Sequence, residues 1–291
     1  MMKTTNILTM TAAVGLVLSL SACGGSAGAE AQATEQCTSQ VSDTALVKPK
    51  TLTYATNATL PPMQYMKDGE VAGMRIELAE KVAANLCLTP EAVNIPFDAQ
   101  IPGLSGKRWD MINTGMFYTE KRAETVGLVP YEVQAVSISV QAGNPESITA
   151  QDDLSGKAIA VEAPGYEFDT LNLINEDFKA AGKEPIEIKT FPTNADAFQA
   201  LSSGQVDGAT IVESVTSYYQ NDGRFETAFG GLREAPLAFG FAKENTELAD
   251  AVAAEMTELK ESGWLTELFA KYNVTGYSGA IELSTGPLKT D

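Results

Sequence analysis

The most informative stretch of the chain is Asp110-Met-Ile-Asn-Thr-Gly-Met-Phe-Tyr-Thr-Glu-Lys-Arg122. It starts as an apolar strand, passes through Thr114 and Gly115, where a ligand could approach the backbone, and resumes as a helix with Thr119 as N-cap. Arg122 then falls in the first helical turn, where a cation opposes the helix dipole unless an anion lies nearby. A guanidinium binds a carboxylate through two parallel hydrogen bonds. The stretch therefore predicts a strand, a turn and a helix that present Arg122 to an anion. The alternative is an ordinary surface arginine.

Composition excludes several classes of function. The 291 residues include 38 acidic and 20 basic side chains and no histidine, and the net charge is −18. Such an acidic chain lacks the basic surface that would neutralise phosphates, which argues against a nucleic-acid partner. The absence of histidine excludes Ser-His-Asp and Cys-His catalysis and removes the commonest zinc ligand. We predict neither a metal nor a cofactor.

The first 23 residues have the features of an export signal. Lys3 precedes a mostly apolar run over residues 7–20, which is too short for a confident membrane span. The run ends in Leu20-Ser21-Ala22-Cys23, which resembles a bacterial lipobox, in which the cysteine is diacylated and becomes the mature N-terminus. The alternative is a plain secretory signal with an incidental Cys23. Residues 24–50 are predicted to be a flexible tether and N-terminal extension. We expect an exported protein anchored by lipid on the extracytoplasmic face of the cell membrane.

Two cysteines remain if Cys23 carries lipid. Cys37 and Cys87 are an even pair in an oxidising compartment, which predicts a disulfide between the N-terminal extension and the end of the first helix. The alternative is a buried free Cys87 and an exposed Cys37.

Short β-rich runs alternate with amphipathic helical segments along the rest of the chain. Residues 51–55 are predicted to form the first strand, and residues 76–86 and 213–220 are predicted to form helices. Such alternation is typical of an α/β fold with largely parallel sheets. The tail over residues 275–291 shows little packing signal.

A set of short motifs occurs in a fixed order between residues 51 and 274. They are Pro61-Pro62 with Gly69 and Gly73, Phe97-Asp98 with Ile101-Pro-Gly-Leu104, Gly106-Lys107-Arg108-Trp109-Asp110, Gly115-Met116 with Thr119-Glu-Lys-Arg122, Leu154-Ser-Gly-Lys157, and Leu201-Ser-Ser-Gly204 with Val206-Asp207 and Tyr218-Tyr219. No single motif is specific, but the ordered set resembles the family 3 extracytoplasmic solute-binding proteins of bacterial ABC importers, of the amino-acid type.

The resemblance implies a periplasmic-binding-protein-like fold, with two α/β lobes joined by two crossover strands and a ligand cleft between them. Lobe 1 would comprise residues 51–134 plus 237–274, and lobe 2 residues 135–236. The protein would be a receptor, not an enzyme, that captures a polar amino acid or a derivative and delivers it to ABC permease subunits. We expect a monomer.

The resemblance also assigns roles to residues of the cleft. Arg122 would hold the ligand α-carboxylate, and Phe97 would stack on the ligand. Thr114, Gly115 and Phe117 would contact it, the last two mainly through the backbone.

Departures from the family pattern bear on ligand identity. Asn57 replaces an aspartate, and Leu60 replaces an aromatic residue. The family's amino-group carboxylate aligns without gaps with Val212, and Glu213, one residue later, could bind the amino group only if the strand end is shifted. Tyr166 stands where a small hydroxyl residue is common. The cationic end of the site has thus lost two carboxylates or relocated one, which disfavours arginine, lysine and histidine and favours a derivative such as an opine, an ectoine or a betaine-like acid. An aromatic surround for its nitrogen could come from Phe97, Phe117, Tyr118 and Tyr166, with a core role preferred for Tyr118.

Two other functions remain open at this point. Cyclohexadienyl or arogenate-type dehydratases share the fold, and Glu213 or Glu162 could serve as their acid or base. A sensor lipoprotein without a transport role is the second, since a fold alone does not determine function.

Overall fold

The computed structural model describes residues 37–288, so the predicted signal segment and Cys23 lie outside the described residues. The strands are β1 Thr51–Thr56, β2 Thr59–Leu60, β3 Gln64–Lys67, β4 Glu70–Ala72, β5 Thr89–Asn94, β6 Met111–Phe117, β7 Gly127–Gln141, β8 Ala158–Glu162, β9 Glu187–Phe191, β10 Gly208–Val212, β11 Phe225–Phe241 and β12 Thr275–Gly276. The helices are α1 Met74–Asn85, α2 Gln100–Ser105, α3 Glu120–Ala123, α4 Tyr166–Ala180, α5 Asn194–Ser202, α6 Glu213–Gln220, α7 Thr246–Glu261 and α8 Trp264–Tyr272. Between residues 37 and 288, no helix is both long enough and apolar enough to cross a membrane.

One mixed sheet runs through the molecule in the order β5-β1-β6-β11-β7-β10-β8-β9. Strand β1 pairs in parallel with β5 and β6, and β8 pairs in parallel with β9 and β10. We call the half that contains β5, β1 and β6 lobe 1, and the half that contains β10, β8 and β9 lobe 2. The α/β fold and the two-lobe architecture expected from the sequence are confirmed.

Two long antiparallel strands, β7 and β11, join the lobes. They pair from Gly127 with Phe241 to Gln141 with Phe225, so each strand passes from one lobe to the other. The register of β11 shifts repeatedly between Thr227 and Ala235, which marks the middle of the pair as irregular. The predicted lobe boundaries, after residues 134 and 236, fall inside these two strands and stay predictions.

Helix α1 packs in the largest apolar cluster to which lobe 1 contributes. Ile76, Ala79, Val82 and Ala83 repeat at helical spacing, and all are buried. Their cluster also contains side chains of α7 and α8, among them Leu248, Val252, Met256, Leu265 and Phe269. Chain segments from both ends of the sequence therefore share the lobe 1 core.

The N-terminal extension is tied to lobe 1 by the predicted disulfide. Cys37 and Cys87 are bonded, with Cα atoms 5.6 Å apart, and Cys87 directly follows Leu86, the C-cap of α1. Further along the extension, Val47 N–H donates to the Asp110 carboxylate at 2.6 Å. The residues before β1 thus pack on the folded domain as well as being cross-linked to it.

The tail after α8 packs more closely than its sequence indicates. Strand β12 pairs with β7, and Ser284 exchanges backbone hydrogen bonds with Leu128 at 2.8 Å in each direction. The Tyr118 hydroxyl lies 2.7 Å from Ser284 Oγ and also contacts the Gly286 carbonyl. The tail also buries Ile281 and packs Leu283 and Leu288 against the apolar clusters, so a few apolar residues without a long repeating pattern act together with backbone pairing.

A buried ion pair links α1 to the crossover strand β7. Arg75 and Glu132 are 2% and 0% exposed, and Arg75 Nη2 lies 3.0 and 2.9 Å from the two carboxylate oxygens. Arg75 Nη1 also donates to Gln64 Oε1 at 2.7 Å, and Nε donates to the Tyr131 hydroxyl at 3.1 Å. On the other side, Gln134 donates to Glu132 and accepts the Ser214 N–H of α6 at 3.0 Å. The network therefore reaches from lobe 1, through β7, to lobe 2.

Candidate functional site

The candidate site lies where the carboxyl ends of parallel strands from both lobes meet. Asn57 follows β1, Phe117 ends β6, Glu162 ends β8 and Val212 ends β10. In open α/β sheets, ligands bind beyond the carboxyl ends of the strands. Here these ends surround a cavity of about 60 Å³. Of the predicted site residues, the structure brings into its wall Asn57, Leu60, Phe97, Thr114, Gly115, Phe117, Arg122 and Tyr166.

Arg122 is held by the predicted turn. Thr119 caps α3 by accepting the Arg122 N–H at 3.1 Å, as expected from the sequence. The guanidinium lies over the Phe97 ring, with Cζ 5.1 Å from the centroid, and Nη1 donates to the Phe117 carbonyl at 2.7 Å. These contacts fix the side chain and leave most of its donors unused within residues 37–288.

Burial lowers the pKa of Arg122, and Glu167 and Asp169 of α4 oppose that effect by raising it. An arginine stays protonated at neutral pH despite such a shift. Glu167 also lines the cavity, and burial raises the pKa of its carboxyl although Arg122 lowers it. Arg122 is thus a half-buried cation that an incoming carboxylate would stabilise.

Thr114 and Gly115 bring the end of β6 into the cavity. Thr114 Oγ1 accepts the Asn57 N–H at 2.9 Å and lies 3.4 Å from Gln100 Nε2, so its own O–H remains available to donate. Gly115 has a φ of +71°, and a Cβ there would lie 2.6 Å from Arg75 Cζ. Glycine is therefore needed both for the backbone conformation and for the close approach of Arg75.

An aromatic stack closes the apolar part of the cleft. Phe117 of lobe 1 and Tyr166 of lobe 2 stack with centroids 4.0 Å apart and an interplanar angle of 14°. The Arg233 guanidinium lies over the Tyr166 ring at 4.3 Å, and the Tyr166 hydroxyl donates to the Arg233 carbonyl at 2.8 Å. The Phe97 ring contacts the Arg122 guanidinium. In this arrangement each of these rings contacts a protein group.

Two other predicted residues lie away from the cavity. Tyr118 is 7% exposed and packs in the lobe 1 core beneath the tail, which confirms the preference for a core role. The structure does not bring Glu213 into the cavity wall, because its carboxylate turns away to accept the Gly231 N–H at 2.6 Å. Val212, the residue of the gapless alignment, lines the cavity instead.

Sequence reasoning missed several residues of the lobe 2 wall. These are Pro164, Gly165, Glu167 and Asn194, together with Glu162, for which the sequence suggests only an acid or base role in the dehydratase alternative. One signal was available for Glu162: it directly follows the apolar run over residues 159–161, in a fold for which the sequence predicts largely parallel sheets with ligand sites at the carboxyl ends of strands. Asn194 offered no such signal, because its approach depends on how α5 packs against β8.

Glu162 is an acid of the cavity with a strongly raised pKa. Asn194 Nδ2 donates to its Oε2, and Asn57 Nδ2 lies 3.5 Å from its Oε1. Burial, followed by the nearby Glu167, raises the pKa of Glu162 to about 7, and the bonds from Asn194 offset this only in part. Asn57 belongs to lobe 1 and Asn194 to lobe 2, so the carboxylate lies between the lobes. Residues 37–288 contain no cluster of three or more acidic, cysteine or histidine side chains that could hold a metal ion.

Comparison with known proteins gives the family. Residues 52–275 match the model of the bacterial extracellular solute-binding proteins, family 3. The chain belongs to this family. The Probable ABC transporter arginine-binding protein of Chlamydia trachomatis is 26% identical over 225 residues, covering 75% of this chain and 84% of that protein.

Solved structures show the same architecture. An ancestral arginine-binding protein bound to arginine is 28% identical, with a TM-score of 0.69 over 77% of this chain and 98% of the other. An ancestral amino acid-binding protein, described as a precursor of cyclohexadienyl dehydratase, is 26% identical, with a TM-score of 0.69 over 77% of this chain and 95% of the other. These relatives are named as binding proteins.

Proposed function

We propose that this chain is a lipid-anchored extracytoplasmic receptor that captures a small carboxylate-bearing solute, a polar amino acid or a derivative, and delivers it to an ABC importer. The observation that carries the proposal is the position of Arg122, between the two lobes with unused donors beside Phe97. Family membership and the names of the relatives support the same class of function.

The site residues suggest how the ligand would be held. Arg122 would bind the carboxylate through two parallel hydrogen bonds, with the Thr114 hydroxyl as an additional donor. Phe97 would supply an apolar wall. Tyr166 and Glu162 approach from lobe 2, so only the closed arrangement contacts the ligand from both sides. Ligand would therefore stabilise the closed state, which the permease would recognise.

The test is a thermal-shift screen of the soluble domain against amino acids, betaines, opines and ectoines. A ligand at one hundred times its Kd stabilises the folded state by about 2.7 kcal/mol, which gives a clear shift. For any hit, Arg122→Ala should reduce affinity by roughly 30-fold to several thousand-fold, because loss of a buried charged pair costs about 2–5 kcal/mol.

Lys121→Ala is the matched control, since it removes an exposed cation from the same helix. Unchanged affinity in Arg122→Ala would remove Arg122 from the site. Absence of any hit in the screen would contradict the receptor proposal.

The raised pKa of Glu162 is compatible with one enzymatic alternative, a dehydratase. A half-buried carboxyl with a pKa of about 7 in a cleft is a suitable general acid, and an ancestral neighbour is described as a precursor of a dehydratase. Incubation with prephenate or arogenate distinguishes the two functions. The receptor proposal expects no product, whereas product formation that is lost in Glu162→Gln would establish the dehydratase.

A further inference from the structure

The end of the cavity at Glu162 carries a carboxyl group that has no lysine or arginine ion-pair partner within residues 37–288. Its ionisable lining residues other than Tyr166 are one cation, Arg122, and two carboxylates, Glu162 and Glu167. The carboxylates that act on Arg122 are those of Glu167 and Asp169 in α4. Within the described part of the chain, no lysine or arginine forms an ion pair with Glu162. Glu162 is therefore an acid in the ligand cavity without a protein counter-charge.

The neighbours of Glu162 orient its carboxylate without neutralising it. Asn57 after β1 and Asn194 of α5 present amide N–H groups to its two oxygens, which suits an ionised acceptor. Glu167 of α4 repels it, and Tyr219 of α6 has a pKa raised to about 12 by burial, with Tyr218 and Glu162 contributing, so its phenol stays neutral at physiological pH. Neither asparagine can supply charge, and burial of an unpaired carboxylate is costly. The missing partner is a cation.

We infer that Glu162 is the specificity-determining residue that binds a cationic nitrogen of the ligand, while Arg122 binds its carboxylate. This inference rests on the proposed function and specifies its substrate class: a small solute that carries both a carboxylate and at least one cationic nitrogen. The sequence argument against such ligands depended on Asn57 and Val212, where relatives have carboxylates. Glu162 supplies a carboxylate from a different strand, β8, and the aromatic rings that could replace it already contact protein groups.

Binding of a cation by Glu162 makes ligand affinity depend on pH. A cation beside Glu162 lowers its pKa from about 7, so binding below pH 7 must release a proton. Affinity should fall as the pH decreases below 7, by at most about tenfold per pH unit, and should be flat above it. Glu167 also has a raised pKa, so the slope is assigned to Glu162 by mutation.

The experiment uses isothermal titration calorimetry at pH 5.5, 7.0 and 8.5. The probes are L-arginine, ectoine and glycine betaine, compared with succinate and glutarate, which have carboxylates but no cation. We expect binding of at least one cationic probe and much weaker binding of both diacids. For the tightest cationic probe, Glu162→Gln should reduce affinity at pH 8.5 by at least about 30-fold and abolish the slope below pH 7.

Glu213→Gln is the control, because this neighbouring carboxylate lies outside the cavity wall. The unliganded melting temperature of Glu162→Gln should match that of the wild type, which separates lost binding from lost folding. Wild-type affinity or an unchanged pH slope in Glu162→Gln overturns the inference and leaves the receptor function intact. Binding of only succinate or glutarate also overturns the inference and leaves the receptor function intact. If no probe binds and the wider screen gives no hit, both the inference about Glu162 and the proposed receptor function are overturned.

Discussion

Replacement of Glu132 by glutamine tests how strongly the buried ion pair stabilises the protein. Glu132→Gln keeps the size of the side chain but removes the charge that faces Arg75, which is 2% exposed. Gln64 and Tyr131 would still accept from the guanidinium, but both are neutral. Removal of one partner of a buried pair leaves an uncompensated charge and costs about 3–5 kcal/mol. In a domain of this size the same loss lowers Tm by roughly 6–20 °C.

Urea unfolding measures the change in the free energy of unfolding directly. Glu234→Gln is the matched control, because Glu234 is an exposed glutamate on the other crossover strand. The double variant Arg75→Met with Glu132→Leu should recover most of the loss, since an apolar pair leaves no charge buried. A free-energy change in Glu132→Gln no larger than that in Glu234→Gln would refute the reasoning, because it would show that Arg75 reaches solvent or another anion.

Two further predictions concern the N-terminal part of the chain. Replacement of both Cys37 and Cys87 by serine should destabilise the domain by about 4 kcal/mol in the chain-entropy account, because the bond closes a sequence separation of 50 residues. Thermal melts with and without reductant measure this, and equal melting temperatures would contradict a stabilising bridge. Cys23→Ala should release the protein from membranes in cell fractionation, and continued sedimentation with membranes would count against the lipobox.

The sequence predicts elements best where local pattern and packing agree. Helix α1 is located by its apolar spacing, and the cap on α3 by Thr119. Strand β11 has a continuous β-rich pattern only over residues 237–241 but begins at Phe225. Gly230, Gly231 and the exposed residues of its irregular middle break the alternation that marks a strand, so its extent depends on pairing with β7.

The sequence predicts the lobe 1 wall of the site better than the lobe 2 wall, for a similar reason. Part of its lobe 1 wall comes from the contiguous motif that ends in Arg122 and carries the carboxylate-binding chemistry within a few residues, while Asn57, Leu60 and Phe97 come from earlier segments. The lobe 2 wall is assembled from the end of β8 and the starts of α4 and α5, which only the fold brings together. Glu213 and Val212 show the limit of local reasoning, because a shift of one residue at a strand end decides which side chain faces the cleft.

The route of the chain through the crossover strands also constrains the order in which the lobes can fold. Lobe 2 strands β8, β9 and β10 lie within residues 158–212, so they can pair as soon as that segment has been made. In lobe 1, β6 pairs with the last residues of β11, which follow it by more than a hundred positions, and its core also needs α7 and α8. Contacts between distant segments form more slowly because loop closure costs entropy. Lobe 2 is therefore expected to acquire structure first, and a chain that ends before residue 237 should leave lobe 1 unfolded.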